Sequence, residues 1–267
     1  YNTGIGQDAL QAVTTGDNNV AVGYDALPLN TASSNTAVGY QAMFNNSTGT
    51  NNVAMGYQTL RQNTTASYNT AIGNLALHLN TTADNNVGVG YQALTANTTG
   101  DSNVAIGICA LSSNTTSGNS VAVGTNALRL NTAFNNTAIG HKAMENTTSG
   151  QFSVAVGHDA LTFNTTGSCN TAVGYKALED TTTGAENVAV GNASLQENST
   201  GSYNTSVGYG SLCAGTTVEQ NVAVGRYAMR NATTANDNVA IGSASMNAIS
   251  TGAHNVGIGR LTLECNA

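Results

Sequence analysis

The chain has 267 residues and a net charge of −7 from 14 acidic and 7 basic side chains, with 5 % aromatic and 8 % charged residues, no Trp, one Pro and 30 Gly. An ordinary enzyme domain draws on more aromatics and carries about a quarter charged residues, whereas a disordered chain is rich in charge and proline; neither description fits. The acidic balance leaves no footprint for a nucleic acid, and no apolar run approaches the ~20 residues that span a bilayer.

The predicted elements are one unit repeated from end to end. Asn-(Val/Thr)-Ala-(Val/Ile)-Gly, or a close variant, recurs sixteen times, with its glycine at Gly6, Gly23, Gly39, Gly56, Gly73, Gly90, Gly107, Gly124, Gly140, Gly157, Gly174, Gly191, Gly208, Gly225, Gly242 and Gly259. The spacing is 17 residues except for two intervals of 16. With glycine as position 0, position −4 is Asn in fourteen copies and Ser in two, −3 is Val or Thr, and −1 is Val, Ile or Met. Position −2 is Ala in twelve copies, Gly in three and Ser in one; +3 is Ala, Ser or Thr; +4 is Leu or Met in all sixteen. Positions +7 to +9 usually read Asn-Thr-Thr.

Alternation over −3, −2 and −1 predicts a short strand, whose branched residues at −3 and −1 are expected to build the core together with +4. Both short intervals lose a residue in the same stretch, at Asn30-Thr31-Ala32-Ser33 and Asn131-Thr132-Ala133-Phe134, which marks a turn. A 17-residue unit with three large apolar side chains cannot fold alone, but stacked copies bury a continuous narrow core. Among 37 asparagines there is no Asn-Gly dipeptide, the strongest hairpin signal, and about 17 residues rich in Val and Thr is poor material for two helices. The predicted fold is therefore all-β: a parallel β-solenoid of sixteen coils, a single domain over 1–267. At about 4.8 Å per coil it would be roughly 75 Å long, with its Asn columns paired through their side-chain amides. The chain opens in mid-pattern with Tyr1-Asn2-Thr3-Gly4-Ile5-Gly6 and is read as a segment of a longer fibre.

The segments Asn19-Val20-Ala21-Val22-Gly23, Asn103-Val104-Ala105-Ile106-Gly107 and Ser120-Val121-Ala122-Val123-Gly124 resemble the Ser-Val-Ala-Ile-Gly repeat of the YadA-like heads of trimeric autotransporter adhesins. The longer form from Asn170 to Leu178 is similar to repeats of phage and algal-virus fibre proteins. The resemblance implies a left-handed parallel β-roll, three chains wide, projecting from a cell or virion. The 17-residue coil is longer than the adhesin coil, and bacterial adhesin and viral fibre both stay open. The function expected is a structural rod of an extracellular or virion fibre that serves attachment to a host cell or surface.

Chemistry-bearing residues are sparse. Gly88-Val89-Gly90-Tyr91-Gln92-Ala93 fits the Gly-x-Gly-x-x-Ala dinucleotide pattern only because Gly88 stands at −2; the motif needs a helix opening at the turn. No repeated phase sets a Ser, Cys or Thr beside a base and an orienting acid, so no enzymatic activity is expected, and no cofactor or metal. His141 and His158 share position +1, about 5 Å apart on adjacent coils, with Asp159 the one carboxylate able to join them; they are read as solvated imidazoles. Cys109, Cys169, Cys213 and Cys265 fit no metal or redox spacing. The closest pair, Cys169 and Cys213, would lie about 12 Å apart, beyond disulfide reach.

Three columns invite a surface role. Tyr24, Tyr40, Tyr57, Tyr91, Tyr175 and Tyr209 share position +1 and could contact a glycan or receptor, although packing between coils explains them more simply. Thr or Ser at +8 (Thr14, Thr31, Ser47, Thr64 onward) suggests the alternative of an ice-binding or other surface-binding solenoid adhesin. The glycosylation sequons at Asn63, Asn80, Asn97, Asn114 and Asn164 mostly arise from the Asn-Thr-Thr turn itself, and in a producer that glycosylates secreted proteins they would present acceptors at regular spacing. Finally, a solvent-facing position normally drifts through polar types, yet −2 stays small. If −3 and −1 face the core, −2 faces outward, and Ala105, Ala122, Ala138, Ala155 and Ala172 become an oligomer-interface column against further copies of the chain, a homotrimer. The competing reading puts −2 inside a tightly wound coil.

Overall fold

The computed structural model describes residues 1–263. It has a sixteen-strand, all-β parallel solenoid fold, divided into two compact units, Tyr1–Phe134 and Asn135–Ala267. The division falls at the end of the second 16-residue repeat. The first unit holds β1 (Thr3–Ile5) through β8 (Val121–Val123), and the second β9 (Thr137–Ile139) through β16 (Val256–Ile258). Every strand covers positions −3 to −1. Within each unit each strand pairs parallel with the next, so that Thr3, Gly4 and Ile5 stand opposite Val20, Ala21 and Val22, and Val154, Ala155 and Val156 opposite Thr171, Ala172 and Val173.

Most backbone hydrogen bonds run between coils, which is how strands of three residues hold together, while turns within each coil close through bonds such as Ala42 N–H to the Gly39 carbonyl and Asn46 N–H to the Met43 carbonyl. The N–H at −3 donates to the following coil (Val20 to the Asn35 carbonyl, 2.9 Å) and that at 0 to the preceding one (Gly39 to Val22, 2.8 Å). Position +2 again donates backward (Gln41 to Tyr24, 2.9 Å) and +4 forward (Met43 to Thr59, 3.0 Å). Such reversals need left-handed backbone, and each coil bends at four fixed phases: −5, 0, +2 and +4. Among the described residues 46 non-glycine positions have positive φ, and none is Val, Ile or Thr. The left-handed region already presses Cβ toward the following carbonyl, and a branch at Cβ makes that worse. This explains why +4 is always Leu or Met, at φ between 47° and 56°.

At position 0 glycine is required twice over. Gly107 has φ 137°, and a Cβ built there would lie 2.5 Å from the Gly124 carbonyl oxygen of the next coil. The 16-residue repeat is absorbed where the sequence places its turn. Val20, Ala21 and Val22 stay in register with Thr36, Ala37 and Val38. Asn30 Nδ2 donates to the carbonyl two residues on, whereas Asn46 in a full-length coil reaches the one three residues on.

The strand faces the opposite way from the sequence expectation. Ala105, Ala122, Ala138, Ala155 and Ala172 are fully buried within their own coils, so the −2 column is part of the core and is not available to another chain. Position −2 lies against the +4 side chain: a Cβ on Gly88 would be 3.3 Å from Leu77 Cγ. The interior is narrow, and a large +4 residue leaves room for only a methyl group across from it. The core is thus the small residues at −2 and +3 plus Leu or Met at +4. The Val, Ile, Met and Thr side chains at −3 and −1 point outward, and Ile106 and Ile139 are 41 % and 42 % exposed. Where serine replaces alanine inside, the substitutions come together: Ser194 donates to Ser206 Oγ at 2.8 Å, and Ser206 donates to the Ser211 carbonyl at 2.9 Å, which satisfies polar groups that burial would otherwise penalise.

Two buried asparagine ladders complete the interior. At +7, Asn63 Nδ2 donates to Asn46 Oδ1 at 2.6 Å and Asn97 Nδ2 to Asn80 Oδ1 at 2.9 Å, the amide pairing expected from the sequence. At −4 the side-chain oxygen instead accepts the backbone N–H of the next Asn (Asn69 to Asn52, 2.9 Å), and its amide donates to the turn of the following coil (Asn52 to the Ala66 carbonyl, 2.8 Å). The +7 ladder is interrupted where another residue replaces Asn; at Thr147 and Thr181 the buried hydroxyl has no partner, and at Thr181 neither has Oδ1 of Asn164 below it. Thr181→Asn restores the missing rung. Satisfying these atoms is worth about 1 kcal/mol, so the variant should melt ~2–4 °C higher in a calorimetric scan.

Candidate functional surfaces

The outward strand face repeats in every coil of each unit. Positions −3 and −1 carry only Val, Ile, Met and Thr in all sixteen copies, without one charge or amide. In the first unit Met55 and Ile72 are 43 % and 39 % exposed, and in the second Val154 and Val188 are both 38 % exposed. A parallel sheet normally has both faces covered; here the coil interior covers one, and the other stands open in a single chain.

The +1 column lies beside this face. Tyr24, Tyr40 and Tyr57 stack one on the next, with ring centroids 5.5 and 5.3 Å apart and planes within 10°. Their faces are occupied by one another, so only edges, hydroxyls and the outermost faces meet solvent. Tyr91 has no such ring partner among the described residues, its +1 neighbours being Asn74 and Ile108. Tyr175 follows His158 at 5.6 Å, and His158 stacks on His141 at 4.7 Å. Tyr209 meets Tyr227 edge-on at 5.3 Å, and the guanidinium carbons of Arg226 and Arg230 lie 4.4 and 4.7 Å from the Tyr227 ring centroid. Sequence reasoning missed this cation–aromatic group because Tyr227 sits at +2, outside the tyrosine column.

Charged groups form small local sets. Lys176 pairs with Glu179 at 3.0 Å, and that hydrogen bond and charge raise the lysine pKa. Burial, then the nearby Glu179 and Glu197 charges, pushes the Asp180 carboxyl upward. Burial likewise raises the Cys213 thiol, with Glu197 adding to it. Cys109, Cys169 and Cys213 are free thiols; Cys265 lies outside the described residues.

The turn residues correct one expectation. Asn63, Asn80, Asn97, Asn114 and Asn164 are fully buried in the +7 ladder, their amides donating inward, so the folded turns present no glycan acceptor at those sites. The neighbouring +8 hydroxyls are committed along the stack: Thr64 donates to the Thr81 carbonyl at 3.1 Å and Thr81 to that of Thr98 at 3.0 Å. No helix among the described residues is long and apolar enough to cross a membrane.

No protein-family model matches the chain, and no curated protein matches it. The repetitive β-solenoid is consistent with a structural, fibrous role.

Proposed function

We propose that the chain is a non-enzymatic rod segment of an extracellular or virion fibre, assembled as a homotrimer, which holds an attachment tip away from its base. The observation that carries this reading is the outward strand face of Val, Ile, Met and Thr, free of charge and amide through eight strands of each unit and partly open in a single chain. Exposed apolar surface of this regularity marks an interaction site, and closed symmetric assembly of identical chains is the commonest way to cover it. The contact column moves from the alanines to Val104, Ile106, Val121, Val123 and their equivalents. The resemblance to trimeric adhesin heads and viral fibre repeats supports three chains, an extracellular or virion location and a host-surface partner. The stacked tyrosines serve this reading as bracing between coils, with glycan contact confined to their edges.

Light scattering of the purified chain tests the proposal. The expected mass is three times 27.0 kDa, falling to that of one chain when Ile106 and Val123 are both replaced by Glu. A wild type that stays at 27.0 kDa at micromolar concentration overturns the trimer. Ice-recrystallisation inhibition by the wild type would favour the ice-binding alternative.

A further inference from the structure

We propose that His141, His158 and Asp159 form a binding site for a divalent transition-metal ion of the zinc type. Donor atoms from all three side chains lie within 4.8 Å of one another. Zinc binds imidazole nitrogen and carboxylate oxygen at about 2.0–2.2 Å, which sets ligand atoms roughly 3.3 Å apart around a tetrahedral ion. Small side-chain rotations close that difference, and a water supplies the fourth ligand.

The fold fixes the spacing of the donors. His141 and His158 occupy the same phase of consecutive coils, and their rings are stacked at 4.7 Å. The His141 carbonyl accepts the Asp159 N–H at 3.1 Å, which holds the carboxylate's backbone beside the first histidine. Asp159 Oδ2 lies 2.8 Å from His158 Nδ1. Tyr175 bounds the far side of His158 at 5.6 Å, so that ring sits between two aromatic neighbours. His158 remains 51 % exposed, and an ion reaches the donors without a buried path. Lys142 and Lys176 flank Asp159 at +2, but Lys176 is paired with Glu179. Imidazole with carboxylate and open coordination positions suits zinc better than calcium or magnesium, which prefer all-oxygen shells. The bound ion would tie two adjacent coils of the second unit together.

The test is calorimetric titration of the full chain with zinc chloride. The expected result is one ion per chain, with affinity at least tenfold weaker in His141→Gln and in His158→Gln and severalfold weaker in Asp159→Asn. His254→Gln is the control, since that imidazole has one carboxylate, Asp237, at 3.8 Å; it should leave binding unchanged. X-ray absorption of the zinc-loaded wild type should show two imidazole ligands, a readout that needs no variant to fold. No saturable uptake, binding that survives loss of either histidine, or an equal loss in His254→Gln overturns the site.

Discussion

Ala105→Glu should abolish folding of the first unit, whereas Ile106→Glu, one residue along the same strand, should leave it folded. The Ala105 methyl group lies in the coil interior with no exposed surface. A glutamate there has neither room nor a partner, and an unpaired buried charge costs several kcal/mol against a total stability of about 5–15 kcal/mol. Ile106 is 41 % exposed in the single chain, so within the coil its replacement costs about 0.5 kcal/mol plus a further loss from weaker strand preference, and the larger cost falls on the proposed contact between chains. Circular dichroism melts of the two variants check this. Loss of the first unit's share of the cooperative signal in Ala105→Glu alone is the expected outcome; equal melts would mean that the strand faces are reversed.

The second large effect comes from changing the length of the chain. Removing Asn86 to Ser102 takes out one period and joins Asn85 directly to Asn103, position −5 to −4, as in the intact chain. Every remaining side chain keeps its phase, the Asn ladder closes over the gap, and stability falls by about one repeat and its interface. Removing only Asn86 to Ala93 instead puts Leu94 at −4 and Asn97 at −1. A large apolar group then enters the polar ladder, and an amide needed inside turns outward. The 17-residue deletion should melt cooperatively within a few degrees of the wild type, and the eight-residue deletion should show no cooperative melt of the first unit.

Much of the fold is legible in the repeat itself. The three-residue strand, parallel stacking, the turn that absorbs two missing residues and the +7 amide ladder all follow from spacing and composition. The direction of the strand does not. Period-two alternation says that Val104 and Ile106 share one face and Ala105 the other, but it cannot say which face is inside. The width of the coil decides that, and width depends on the left-handed corners. Those corners did leave a trace: a chain full of Val, Ile and Thr places none of them at −5, +2 or +4. The constant Leu or Met at +4 reports backbone conformation as well as burial. The sequons misled for a related reason. An asparagine in an Asn-Thr-Thr turn reads as exposed, whereas at Asn80 the amide bridges Asn63 and the Ala83 carbonyl inside the coil. Among surface residues, the +1 stacks followed directly from phase, while the Arg226–Tyr227–Arg230 group depended on side chains reaching across phases.

The stacking of coils within the first unit can be measured directly by pulsed electron resonance between spin labels on Thr15→Cys, Thr82→Cys and Thr116→Cys, three exposed positions at +9. The native cysteines are first replaced by serine, and labelled chains are diluted with unlabelled ones so that only distances within a chain are read. Thr15 and Thr82 are four coils apart and Thr15 and Thr116 six. At about 4.8 Å per coil the distances should centre near ~19 Å and ~29 Å. A separation that rises by one coil spacing per repeat is the result this structure requires, and two distances that fail to grow with the number of repeats would contradict it.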